Sequence, residues 1–124
     1  MPVINEPNRL GDWLKYEEDN LYSREQVIVA MGQDLRTGSV VGKFTNGGRI
    51  AQLNPGANDG TQNAVGVLIT DVKAGPFETP GVIIARHAVC SDKALIWPTG
   101  ITGPQKTAAI AQLQQLGILV REGA

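Results

Sequence analysis

"NPGANDGTQNAVGVLIT", residues 54–70, sets glycines, a proline and Asn/Asp positions ahead of an apolar run. Two readings compete: a glycine-rich cradle for a phosphate, or a surface turn feeding a β-strand. A dinucleotide loop places Gly-x-Gly-x-x-Gly between a strand and a helix, because the phosphate sits on the helix N-terminus. Here the glycines lead into AVGVLIT, a β-branched run with no helix pattern behind it. The stretch is therefore a turn and a strand. Asp59-Gly60 reverses the chain, with Gly60 free to take positive φ, and residues 64–70 enter the core with Gly66 marking a close backbone approach.

Working outward from that strand, the pattern stays β. Residues 22–31, YSREQVIVAM, alternate so that Val27 and Val29 share one face and Ile28 and Ala30 the other. GQDLRTG at 32–38 supplies a turn. Residues 39–45 read as a second strand, Asn46-Gly47-Gly48 as a hairpin tip, and 49–53 as the returning strand. Ile50 and Leu53 are out of phase, which predicts a bulge there. GSVVGKFT at 38–45 mimics a phosphate loop, but three residues rather than four separate Gly38 from Gly42. Phe44 also stands where a hydroxyl must reach magnesium.

Residues 73–80 read as a loop and 81–90, GVIIARHAVC, as the longest strand. Extended geometry puts His87 with Ile83, Ala85 and Val89, and Cys90 with Val82, Ile84 and Ala88. Thiol and imidazole then point apart, which removes a Cys/His nucleophile pair and leaves a buried or interfacial His beside an inert Cys. Residues 102–117 form the one helix: Thr102-Gly103-Pro104-Gln105 is a capping box, Ala109, Leu113 and Leu116 make a narrow apolar stripe, and Gly117 stops it. The β-prone tail 118–120 returns to a sheet. The expected fold is mainly β with one C-terminal helix, preceded by an extended N-terminal arm.

Composition narrows function. A chain of 124 residues is one domain, large enough to bury roughly two-thirds of its unfolded surface without staples. One cysteine and one histidine supply neither a disulfide framework nor a zinc site, and no cofactor is expected. The net charge is −1 with Lys and Arg scattered, so the footprint of a nucleic-acid binder is missing. There is no run of about 18 apolar residues and no leader pattern at MPVINEPNRLGDW, so neither membrane nor export is expected. Glu17, Glu18 and Asp19 are consecutive in a polar stretch and read as solvated, not catalytic. Ser23, Ser39 and Ser91 lack a nucleophile elbow. Of six aromatic residues, Trp13, Tyr16 and Tyr22 fall in the first 22 positions. Residues 1–21 are accordingly read as an arm whose rings anchor a protein partner, and 22–124 as the β-rich domain.

"MGQDLRTGSVVGKFT", then "NDGTQNAVGVL", then "ALIWPTGIT" running into the helix, and "LGILV" together resemble the head decoration proteins of tailed bacteriophages, over about residues 22–120. The resemblance implies a β-clip or β-tulip type domain. It also implies a homotrimer on the outside of the expanded capsid, at threefold and quasi-threefold positions, clamping the major capsid protein against the pressure of packaged DNA. No catalysis, small-molecule substrate, nucleic-acid contact or membrane contact is implied. The protein would be made in the host cytoplasm and end on the outer surface of the virion. RLGDWLKYEEDNLYSRE departs from the Thr-, Pro-, Ala- and Gln-rich arm of the family's phage lambda member by being more acidic and aromatic.

The expectation is that the arm lends its backbone to a capsid sheet edge while Leu10, Trp13, Leu14, Tyr16, Leu21 and Tyr22 fill pockets. Trp97 and Pro98, at the end of an ALIW strand, are candidates for the trimer contact or for the domain's own core. The rival class is a trimeric dUTP hydrolase, which shares the β-clip topology. Gly81-Val82-Ile83 is similar to its Gly-Val-Ile-Asp motif, but Ile84 stands where the acid must be. A third reading, a subunit of another phage surface structure, differs only in its partner.

Overall fold

Two apolar layers, separated by one wall of strands, organise the chain. The computed structural model describes residues 10–17 and 23–122. In chain order these form α1 (Leu10–Trp13), β1 (Leu14–Glu17), β2 (Arg24–Val29), β3 (Gln33–Leu35), β4 (Val40–Lys43), β5 (Ile50–Gln52), β6 (Ala64–Leu68), β7 (Val72–Ala74), β8 (Thr79–Ile84) and β9 (Ala88–Ser91). A 3-10 turn (Asp92–Ala94), α2 (Gly103–Gln115) and β10 (Ile118–Arg121) complete the order. The fold is mainly β with one long C-terminal helix, as the sequence patterns predict.

β2, β5, β4, β6 and β8 close a barrel in that order. The wall β4-β6-β8 is apolar on both faces because neighbouring residues point to opposite sides. Val41, Leu68 and Ile83 fill the barrel interior with Val29 and Ile50. Val40, Val67 and Ile84 face outward into a second layer, capped by Leu113 and Ile118 from α2 and β10 and by Cys90 from β9. Gly66 permits the closest approach in this wall, since a Cβ there would collide with the carbonyl of Ile84. β9 lies at the centre of a three-stranded sheet, β1 antiparallel on one side and β10 parallel on the other. β3 and β7 pair separately.

Several local expectations hold. Gly60 takes φ +105 in the Asp59-Gly60 turn. β4 and β5 form the hairpin around Asn46-Gly47-Gly48. α2 begins with the full reciprocal capping box of Thr102 and Gln105, ends before Gly117 at φ +83, and feeds β10 into the sheet.

Others are corrected. The bulge lies on the opposite edge of β4, between Val41 and Gly42 against β6, while the β4–β5 register is regular. The expected turn at 32–38 contains β3, and the loop at 73–80 shrinks to four residues because β7 and β8 take its ends. Residues 81–90 are not one strand. The chain breaks at His87, which holds φ +49 and is exposed, so the continuous alternation that set its face does not apply. ALIW is no strand: it is the end of the 3-10 turn followed by a single bridge from Ile96 to Ser39. Leu116 falls beyond the helix and is 38% exposed.

Residues 10–17 fold back onto the domain as α1 and β1, with Trp13 in its apolar core.

Candidate functional site

Trp13 shows how the N-terminal segment is held. Its side chain is 0% exposed, packed in the outer apolar layer with Leu10 and Leu14 against the same cluster. Its indole Nε1 donates to Thr37 Oγ1 at 2.9 Å, and the Thr37 backbone N–H donates to Asp71 Oδ1 at 2.7 Å. Burying an indole removes about 150–250 Å² from water, roughly 4 kcal/mol or more at about 25 cal/mol per Å². An isolated four-residue helix followed by a four-residue strand has no such gain of its own, so Trp13 is what makes the segment fold.

Both flanks of β1 are pinned. Lys15 Nζ reaches back to the Gly11 carbonyl at 2.9 Å. Arg24 grips Glu17 in a two-pronged pair, Nε to Oε2 at 2.8 Å and Nη2 to Oε1 at 2.7 Å. That hydrogen bonding holds the Glu17 carboxyl below the usual carboxylate range and raises the Arg24 guanidinium, so Glu17 is a partly exposed anion paired to the domain rather than a free one. Tyr16 alone of the expected anchors in this segment faces outward, 54% exposed. Leu21 and Tyr22 lie outside the described residues.

The second expected site meets the first. α1 packs against the 3-10 turn Asp92–Ala94, and Trp97, Ala94 and Ile101 border the apolar cluster that receives Leu10, Trp13 and Leu14. Trp97 is half-buried. Its Nε1 donates to Asp92 Oδ1 at 3.1 Å, and Lys106 Nζ sits 5.3 Å from the ring centroid and 3.0 Å from Asp92 Oδ1. This triad ties α2 to the turn that seats α1. Pro98 is half-buried beside it, its carbonyl accepting from the Ile101 N–H at 3.2 Å. The sequence places the two tryptophans 84 positions apart; the structure brings them to one apolar cluster.

Thr37, Ser23 and the outward tip of the barrel carry no sequence signal strong enough to single them out. Ser23 is 0% exposed and donates to the His87 carbonyl at 2.8 Å, which supports the break in the chain there. Met31 and Phe77 are 62% and 76% exposed at one end of the barrel, directly opposite each other if the Val29–Thr79 register is extended. The Cys90 thiol is pushed up to about 12 by burial, the reverse of what an activating imidazole does. Ile84, where a dUTP hydrolase would need its acid, is wholly buried in the apolar wall.

A barrel, a flanking sheet, a long C-terminal helix and a pinned N-terminal edge strand make a small, mainly β protein. Residues 3–118 match the family model described as Bacteriophage lambda head decoration protein D, and the chain belongs to that family. No curated protein matches it significantly. Membership makes this a phage head decoration protein with a capsid-stabilising role, a structural component of the virion's capsid surface and not an enzyme.

Proposed function

We propose that the chain works as a homotrimer on the outside of the expanded head, at threefold and quasi-threefold positions, where it clamps neighbouring major capsid proteins against the pressure of packaged DNA. The observation that carries this reading is the family match over residues 3–118. The geometry of the N-terminal segment supports it. β1 is an edge strand, paired to β9 on one side only, and presents Tyr16 to solvent from a mount that Trp13 and Glu17 hold rigidly. Tyr16 is then the anchor that meets the capsid, while Leu10, Trp13 and Leu14 act beneath it by fixing the strand. Leu21 and Tyr22 belong to the same proposed docking segment.

Trp97 and Pro98 are the proposed contact between subunits. Three chains docking together gain avidity of roughly 10² to 10⁴ over one, provided that all three reach. The test is imaging of expanded heads with and without the protein, beside the mass of the free protein in solution. The reading expects added density centred on threefold positions and a mass of three chains, with Trp97→Ala shifting that mass downward. Density confined to other positions, or a monomer that binds with full affinity, overturns it.

A further inference from the structure

Two turns of this chain carry the same chemical pattern and are held in opposite ways. Asn46-Gly47 and Asp59-Gly60 each place a carboxamide or carboxyl one residue ahead of a glycine. In such a pair the glycine nitrogen can reach the side-chain Cγ and close a five-membered ring, because the attacking residue has no Cβ to obstruct it. By sequence the two turns are equivalent. The folded chain separates them through what each reacting atom is bonded to.

Asp59-Gly60 is held at both reacting groups. The Gly60 N–H donates to Gln62 Oε1 at 2.8 Å, which engages the nucleophile. Asp59 Oδ1 accepts from the Thr61 hydroxyl at 2.5 Å and from the Thr61 N–H at 3.1 Å. Those bonds hold the carboxyl below the usual carboxylate range, and a carboxylate is a poor electrophile. The other described asparagines are closed off too. Gln112 grips Asn63 at both ends of the reaction: its Nε2 donates to Asn63 Oδ1 at 2.8 Å, and its Oε1 accepts from the Ala64 N–H at 2.8 Å. Asn54 precedes Pro55, which has no N–H to give up, and Asn58 precedes Asp59, whose Cβ hinders the attack.

Asn46-Gly47 has none of these restraints. It stands at the exposed tip of the β4–β5 hairpin, with Gly47 at φ +87 and no other part of the protein within 4 Å of where its Cβ would be. Neither the Asn46 side chain nor the Gly47 N–H makes a hydrogen bond among the described residues. The loop is tied around them instead: the Phe44 N–H donates to the Arg49 carbonyl at 2.8 Å, the Gly48 N–H to the Phe44 carbonyl at 3.2 Å, and Arg49 Nη1 to the Gly47 carbonyl at 2.8 Å.

We infer that Asn46 is a site of spontaneous deamidation in the folded protein, with the Gly47 nitrogen as nucleophile and water as the only co-reactant. The Gly47 nitrogen loses its proton to solvent base and bonds to Asn46 Cγ. The carboxamide C–N bond breaks, and ammonia leaves after taking a proton from water. The resulting succinimide adds one water. Opening at Cγ gives aspartate; opening at the backbone carbonyl carbon gives isoaspartate, in which the chain runs through the former side chain. Nothing is oxidised or reduced, and either product adds one negative charge to the formal −1 of the chain. Isoaspartate also inserts an extra backbone atom into the tip, which displaces the Gly48–Phe44 and Arg49–Gly47 contacts. The Lys43–Ile50 pair lies below the altered loop. The reaction needs no enzyme and no partner, so it runs in the free chain and marks its age.

The test incubates the full chain at mildly alkaline pH, native and in urea, and follows each site by peptide mapping, with isoaspartate detected by enzymatic methylation. Native protein is expected to gain about 1 Da at Asn46. The rate there should rise with pH and stay within roughly tenfold of the rate in urea, since the fold leaves both reacting groups free. Asp59 and Asn63 should each react at least about tenfold more slowly in the native chain than in urea, because unfolding releases the bonds that hold them. Asn46→Gln, which would have to close a six-membered ring, should cut the native mass gain roughly tenfold or more. Three results would overturn the inference: native Asn46 slower than in urea by more than about tenfold, a native mass gain that persists in Asn46→Gln, or Asp59 and Asn63 reacting as fast folded as unfolded.

Discussion

The strands on the two edges of β9 reach the same sheet by different physics. β10 arrives from a helix that carries its own instructions: a reciprocal capping box at Thr102 and Gln105, a buried stripe at Ala109 and Leu113, and Gly117 to end it. β1 has no instructions of that kind. Its four residues follow a single helical turn, and its place is decided by Trp13 sinking into a layer built from strands 27 to 105 residues downstream. One edge is encoded locally and then docked; the other exists only because it docks. For a decoration protein the difference has a use, since the segment with the least independent stability is the one proposed to present Tyr16 to the capsid, and a buried ring keeps it in register.

The sharpest way to break this comparison is to empty the anchor. Trp13→Ala is expected to cost about 3–5 kcal/mol in denaturant titration, the range for a large core aromatic. Hydrogen exchange should show β1 opening far more readily than β10. The matching change on the other edge, Leu113→Ala, should cost about 2–5 kcal/mol and loosen α2 and β10 while leaving β1 the better protected of the two. Equal loosening of both edges by either variant would mean that the sheet behaves as one unit and that the contrast is false.

A smaller effect isolates the local signal. Thr102→Ala removes the cap from α2 and is expected to cost about 1 kcal/mol, read as a shift in the urea midpoint with unchanged slope. β1 has no equivalent residue whose loss would act before docking.

The smallest effect belongs to the ion pair at the end of β1. Glu17 has its pKa lowered from 4.5 in the folded protein, chiefly by the hydrogen bond from Arg24. A lowered carboxylate contributes stability above its unfolded pKa and loses it as the pH falls through the folded value. Glu17→Gln is therefore expected to cost less than about 1 kcal/mol at pH 7, because the pair is partly solvated. Wild type and variant should converge as the pH falls below about 4.5 and through the lowered folded value. A gap that persists at pH 2 would assign the effect to packing instead.

How much was legible follows from where each signal resides. The Asp59-Gly60 turn, the hairpin at Asn46-Gly47-Gly48, the close approach at Gly66 and the capped helix were readable because each depends on a few adjacent residues and the φ or hydrogen bonds they allow. The strand broken at His87 was not readable, since GVIIARHAVC has unbroken β character and the break is held by Ser23 from 64 positions away. β3 and β7 leave no mark in the sequence because three-residue strands carry too little periodicity. The aromatic cluster near the N-terminus is plain in the sequence, but a ring at the start of a chain looks the same whether it turns outward like Tyr16 or inward like Trp13.

Taken alone, the order of residues determined a β-rich chain with one capped helix, excluded phosphate loops, and carried the family's spacing. These depend on local backbone preference and on motif geometry, which short windows contain. The tertiary structure decided that Trp13 belongs to the core, that Trp97 borders the same cluster, and that β2 and β5 close the barrel through the single pair Val29–Ile50. Each of those is settled by competition among distant surfaces for burial and for hydrogen bonds, and only the assembled chain resolves it.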